Sequence, residues 1–172
     1  ATIETFPRGV VGSHPSELPH GRGRAPVPWT VLEGRRTSAV TLFRMTSGVD
    51  DGAILKQTRF DIPDRPTARI VYNLVAQTLA RSFAELYGEF AAGSVIEVPQ
   101  NMDRASWRAK RVPADGWIDF RSRAEMIDRL VRAVSAPFPG AYSYFAGERA
   151  VFHGSGPASG SDLRRKGIPG QL

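Results

Sequence analysis

Along the 172-residue chain the spacing of apolar positions changes several times, and each change marks an element. Val10 and Val11 close a short apolar run that reads as the end of a core strand. The segment after His14, PSELPHGRGRAPVPW, is dense in glycine, proline and arginine and predicts loop. Residues 37–45, TSAVTLFRM, alternate well enough for a strand that sends Val40, Leu42 and Phe43 into a core. TSGVDDGAIL then predicts a turn carrying paired aspartates, and AILKQTRFDI a second strand, so the two form a hairpin with a wide acidic tip.

From Pro66 to Ala92 the period becomes helical. Ile70, Leu74, Leu79, Phe83, Leu86 and Phe90 fall near i, i+3 or i, i+4 spacing and predict one apolar stripe. Asp64 or Thr67 caps its start and Gly93 stands where a C-terminal glycine belongs. RASWRAKRVPADGWIDF reads as a basic loop with one short extended piece. Ser122 to Glu125 form a capping-box pattern ahead of Met126, Ile127, Leu130, Val131 and Val134, which predicts a second helix stopped by APFPGAY. AYSYFAGERAVFH predicts a hairpin turning at Gly147 and Glu148, whose apolar strands offer a contact for a homodimer. The residues from 155 onward are glycine-, serine- and proline-rich and predict a flexible tail.

Composition narrows the chemistry. The chain has no cysteine, which excludes a disulfide framework and a thiolate metal site, and its three histidines (His14, His20, His153) form no short ligand spacing. No metal is expected. No apolar run long enough to span a membrane and no basic-then-apolar leader is present, so a cytoplasmic location without a membrane partner is expected. The formal charge of +6, mostly arginine, suits an anionic partner such as nucleic acid or a phosphorylated small molecule, or simply a solvated surface. No interleaving of aromatic and basic residues points to RNA.

His14 and Asp50 each lie just past an expected strand, where open α/β sheets bind ligands. A carboxylate beside an imidazole holds it in one orientation and favours its charged form, a pairing suited to stabilising an oxyanion and moving a proton. Spacing alone leaves the alternatives open: a hydrogen-bonded loop histidine, and an aspartate pair that only shapes a turn.

The run from GSHPSELP through TSGVDDGAIL resembles the core motif of the folate-dependent formyltransferases. KRVPADGWIDF and LVRAVSAPFPGAY resemble the downstream motifs of those that formylate nucleotide-linked amino sugars. The likeness runs from about Gly9 to Tyr142. It implies an α/β fold: the C-terminal part of a Rossmann-like formyltransferase domain over residues 1–95, then a smaller α+β region with a helix and hairpin over 96–154. It implies formyl transfer from 10-formyltetrahydrofolate to an amine, with the histidine of HPSxLP and the aspartate of the GxDxG turn, here His14 and Asp50, catalytic. Ser16, Leu18, Gly48 and Val49 fall in the part that borders the folate. Arg22, Arg24, Lys110 and Arg111 are candidates to neutralise a pyrophosphate, and Trp29 and Tyr142 to stack on a base or pack on the sugar.

Two departures stand out. Many members carry asparagine two residues before the histidine where this chain has Gly12, and the opening half of the Rossmann-like domain is expected to lie outside this chain. The chain is also expected to end too soon for the basic C-terminal domain of the transfer-RNA enzymes, which favours a dTDP-linked 4-amino-4,6-dideoxyhexose destined for a cell-surface glycan as substrate. A non-catalytic remnant that binds the sugar nucleotide, and a methionyl-tRNA formyltransferase-like protein, are the alternatives.

Overall fold

The alternation in residues 37–45 becomes strand β3 (Thr37–Arg44) and ILKQTRFD becomes β4 (Ile54–Asp61) in the computed structural model, which describes residues 3–156. Ser38 to Phe43 are buried on both faces of β3, because this strand lies in the middle of its sheet. Strand β1 (Val11–His14) pairs antiparallel with one edge of β3 and β4 with the other, so the order is β1-β3-β4 and His14 stands opposite Thr41. The expected hairpin is formed, with its acidic tip over Gly48–Asp51.

The loop expected after β1 holds more structure than the sequence suggests. Strand β2 (Arg22–Gly23) is followed by helix α1 (Pro26–Leu32), which glycine and proline density had marked as loop. Pro26 sits at the start of that helix, where its fixed φ suits the first turn and its missing N–H costs nothing. Val27, Pro28 and Val31 turn into the core. Later in the chain β5 (Trp107–Arg108) pairs parallel with β2 and ties the loop after His14 to the segment that opens the C-terminal region.

Helix α2 (Ala68–Ala92) matches the expected span, with the Thr67 side chain accepting from the Ile70 N–H and Gly93 in the left-handed region at its end. Its buried face differs from the apolar stripe. Val71, Thr78, Ser82 and Leu86 face inward while Ile70, Phe83 and Phe90 are exposed. The reason is a polar seam against β4: Ser82 Oγ bonds Thr58 Oγ1 and the Thr78 carbonyl, both at 2.8 Å, so the buried Ser82 hydroxyl is partnered.

Helix α3 (Ala124–Ala133) starts one residue later than a Ser122 cap implies. Arg123 holds the cap position without a side-chain bond, and the Ser122 N–H is bound to the Asp119 carbonyl instead, so the capping box does not form. Strands β6 (Ala141–Phe145) and β7 (Glu148–Phe152) make the expected hairpin, but the turn lies over Ala146 and Gly147, with φ of 51° and 85°, one residue earlier than expected. The larger core joins the three helices through Val27, Val31, Val71, Ile118 and Val131; the smaller one sets Leu42 and Leu55 of the sheet against Leu86. Among the described residues no helix is long and apolar enough to cross a membrane. Beyond Gly156 the expected tail lies outside the described residues.

Candidate active site

His14 ends β1, and the β3–β4 turn brings Asp50 to it: His14 Nδ1 lies 3.4 Å from Asp50 Oδ2. The ring is 5 % exposed, and its Nε2 lies 2.8 Å from the Gly21 carbonyl. Each ring nitrogen thus faces an oxygen acceptor, and the ring satisfies both contacts when both nitrogens carry protons. Asp50 Oδ2 also accepts the Gly23 N–H at 2.9 Å. Its Oδ1 has no bonding partner among the described residues, on a side chain 20 % exposed, so one oxygen is fixed and the other faces outward.

The loop between His14 and β2 is held from behind by side chains that motif reading missed. The Thr41 hydroxyl donates to the Ser16 carbonyl (2.7 Å), and the Gln57 amide donates to the Leu18 carbonyl and to Thr41 Oγ1 (both 2.9 Å). Gln100 donates to the Asp50 and Gly52 carbonyls at 2.9 and 2.7 Å. These three lie in elements that sequence patterning treats as plain strand or loop, and nothing in their local spacing marks them.

The remaining sequence-derived positions divide clearly. Ser16 is half-buried, its hydroxyl bound to the His20 carbonyl. Leu18 is 2 % exposed and shapes the loop from within rather than presenting its side chain to a ligand. Gly48 and Val49 lie on the exposed tip next to Asp50. Arg22 departs most from expectation. At 1 % exposure, with its guanidinium against Gln100 Oε1 and above the Trp107 ring, it cannot neutralise a solution-facing pyrophosphate.

Arg24, Trp29, Lys110 and Arg111 do come together. The Arg24 N–H donates to the Arg108 carbonyl, Trp29 Nε1–H to the Ala109 carbonyl at 3.0 Å, and the Arg111 guanidinium lies 5.3 Å from the Trp29 ring centre. Arg24 and Lys110 are exposed and have no carboxylate partner among the described residues. Beside them a cavity of about 140 Å³ is walled by Pro28, Arg111, Val112 and Phe138. Tyr142 lies outside that cavity, its ring under the Arg149 guanidinium at 4.1 Å and its carbonyl bound by the Ile118 N–H.

Gly12 occupies the place where the family pattern has asparagine. A Cβ there would lie 2.9 Å from both Phe43 Cζ and Met45 Cγ, so those two side chains fill the space an asparagine needs.

Residues 1–85 match the family model described as formyl transferase, and residues 110–172 match that of the formyl transferase C-terminal domain. The chain belongs to the formyl transferase family. The second match also corrects the expectation that no C-terminal domain could fit, so the transfer-RNA branch of the family is not set aside on that ground.

Among solved structures, HypX from Aquifex aeolicus in complex with tetrahydrofolic acid is 21% identical, with a TM-score of 0.76 over 94% of this chain and 28% of that one. An N-formyltransferase from Helicobacter canadensis, in complex with folinic acid and dTDP-3-aminofucose, is 25% identical with a TM-score of 0.65, covering 72% of this chain and 46% of that one. Methionyl-tRNA formyltransferase from Clostridium thermocellum is 20% identical with a TM-score of 0.63, covering 81% and 59%. The chain spans between 28% and 59% of the length of these proteins. The mixed α/β architecture is thus that of the formyl transferases.

Proposed function

We propose that the chain is the formyl-transferring part of an enzyme that moves a formyl group from 10-formyltetrahydrofolate to the amine of a nucleotide-linked amino sugar. The contact of His14 Nδ1 with Asp50 Oδ2, beside an outward-facing Asp50 Oδ1, carries this reading. When bound, the folate supplies the formyl carbon, whose bond to the donor nitrogen is exchanged for one to the sugar amine.

The chain's own residues handle the protons. Asp50 Oδ1 accepts the proton that the amine loses on attack and gives it up to the donor nitrogen as the bond from that nitrogen to the formyl carbon breaks. The bond from His14 Nε2–H to Gly21 fixes the ring. Nδ1, at 3.4 Å from Asp50, lies beyond ordinary N–H···O length, so it is not committed to Asp50 and is the ring nitrogen left to face the formyl oxygen as negative charge develops there. With Gly12 lacking a side chain, no asparagine assists at that position, and His14 carries that stabilisation with backbone N–H groups. Gly48 and exposed Val49 are the proposed border of the folate, with Ser16 on the loop side.

The exposed cations Arg24 and Lys110, without a carboxylate partner among the described residues and next to Trp29 and Arg111, support a substrate that is anionic and partly planar, as a nucleoside diphosphate is. Arg24 follows directly on Gly23, whose N–H holds Asp50, so phosphate-binding charge and proton acceptor are adjacent. Likeness to the Helicobacter canadensis enzyme supports the same substrate class. Within it, a dTDP-linked 4-amino-4,6-dideoxyglucose is the first substrate to try and the 3-amino sugar the second.

The test is incubation of the chain with 10-formyltetrahydrofolate and each sugar nucleotide, or methionyl-tRNA, followed by mass spectrometry. Formylated sugar nucleotide that disappears in His14→Ala is expected. Formylated methionyl-tRNA alone moves the assignment to the second reading, which the C-terminal domain match supports; no formylated product from any acceptor overturns it.

A further inference from the structure

Gln100 stands outside the reaction chemistry, yet its amide touches the backbone on both sides of the Asp50 turn. Its Nε2 donates to the Asp50 carbonyl at 2.9 Å and to the Gly52 carbonyl at 2.7 Å. Its Oε1 accepts from Arg22 Nε at 3.2 Å and Nη2 at 2.6 Å. Only one orientation of the amide satisfies these contacts, since the reverse sets NH₂ against a guanidinium and an oxygen against two carbonyls.

Asp50 needs such a hold. Its φ is 51°, in the left-handed region that side-chain-bearing residues avoid, and neighbouring contacts must keep it there. Arg22 explains why the amide faces the right way. This cation is 1 % exposed and has no carboxylate partner among the described residues, only Gln100, the Met102 Sδ at 3.3 Å and the Trp107 ring at 5.5 Å. Drawing the amide oxygen to itself, Arg22 leaves the NH₂ group to the turn. The next residue, Gly23, gives its N–H to the Asp50 carboxylate. Backbone and carboxylate of one residue are therefore clamped from two sides by a single unit.

We propose that Gln100 is a positioning residue of this site: its amide, oriented by buried Arg22, holds the Asp50 turn so that the carboxylate faces His14. The inference rests on the reading of His14 and Asp50 given above. The competing role is purely structural, in which Gln100 serves only to satisfy the Arg22 charge.

Gln100→Glu separates the two. The carboxylate keeps the side-chain volume and improves the partner of Arg22, but removes both donors to the turn and sets negative charge against two carbonyls. Positioning predicts a kcat for formyl transfer lowered about 100-fold in Gln100→Glu and in Gln100→Ala, the scale of a small misplacement of a reacting group, with the KM of the formyl donor within about threefold. It also predicts faster hydrogen exchange at the Gly23 amide in Gln100→Glu while the thermal midpoint is kept. Wild-type kcat with unchanged Gly23 exchange in Gln100→Glu overturns the proposal. If the wild-type chain transfers no formyl group, the functional reading fails and the exchange measurement alone decides: acceleration upholds the clamp, and unchanged exchange refutes it.

Discussion

The His14–Asp50 corner and the Trp29–Arg111 face meet along the chain at Gly23 and Arg24, yet they are built differently. In the corner the contacts are mostly part-buried or buried hydrogen bonds to backbone: Gly21 and Gly23 hold the dyad, and Gln57, Thr41 and Gln100 hold the loops behind it. On the face, Arg24 and Lys110 are exposed, and among the described residues half-buried Arg111 is held by the Asp115 carbonyl and the Trp29 ring. Hydrogen bonds shielded from water fix atoms closely because each orphaned group is costly, whereas exposed charges attract at modest cost and tolerate movement. The corner therefore suits proton transfer and the face suits holding a charged, variable substrate.

The contrast sharpens under mutation. Gly52→Ala is expected to have the largest effect, because the new Cβ would lie 1.7 Å from the Arg44 carbonyl oxygen, which is backbone and cannot swing away. A loss of about 3 kcal/mol in urea unfolding is expected, at the upper end of overpacking costs, together with displacement of the Asp50 turn. A Gly52→Ala chain as stable as wild type would show the corner to be far softer than described.

On the face, Arg24→Ala and Lys110→Ala should each raise the KM for the sugar nucleotide by about fivefold or less while leaving kcat unchanged, with the difference shrinking as salt is added. A fall in kcat without a change in KM would place these cations with the corner instead. The smallest effect concerns Asp119, where side-chain and backbone hydrogen bonds from Arg121 hold the carboxyl down to about 2. A lowered carboxyl contributes stability present above its unfolded value of about 3.9 and lost as pH falls through the folded one, so this pair contributes at neutral pH and its contribution disappears only in strong acid. Carboxyl ¹³C titration should show a midpoint near 2. In Arg121→Ala the midpoint should rise toward about 3.9.

What the sequence revealed follows the same division. Strands β3 and β4 and helix α2 were legible because long segments repeat one period, and the hairpin at β6–β7 because Gly147 punctuates it. The buried face of α2 was not: Thr78 and Ser82 count as polar in any pattern, and the Ser82 hydroxyl is acceptable inside only because Thr58 Oγ1 and the Thr78 carbonyl partner it. Helix α1 was hidden because two prolines in seven residues mimic a loop. His14 and Asp50 came from a motif, but Arg22 was misplaced because a cation is expected outside unless paired, and its partner is an uncharged amide fully 78 residues on. Gln100 carried no local signal, since its role exists only once the β3–β4 turn and β2 meet.

The most direct test of the central claim is a double-mutant cycle on His14 and Asp50, read as kcat for formyl transfer to the sugar nucleotide. Acting as one unit, His14→Ala and Asp50→Asn should each cost about 10² to 10⁴, with the double variant falling little further than the worse single one. Losses that simply multiply would mean that the two residues act independently, and would contradict the account.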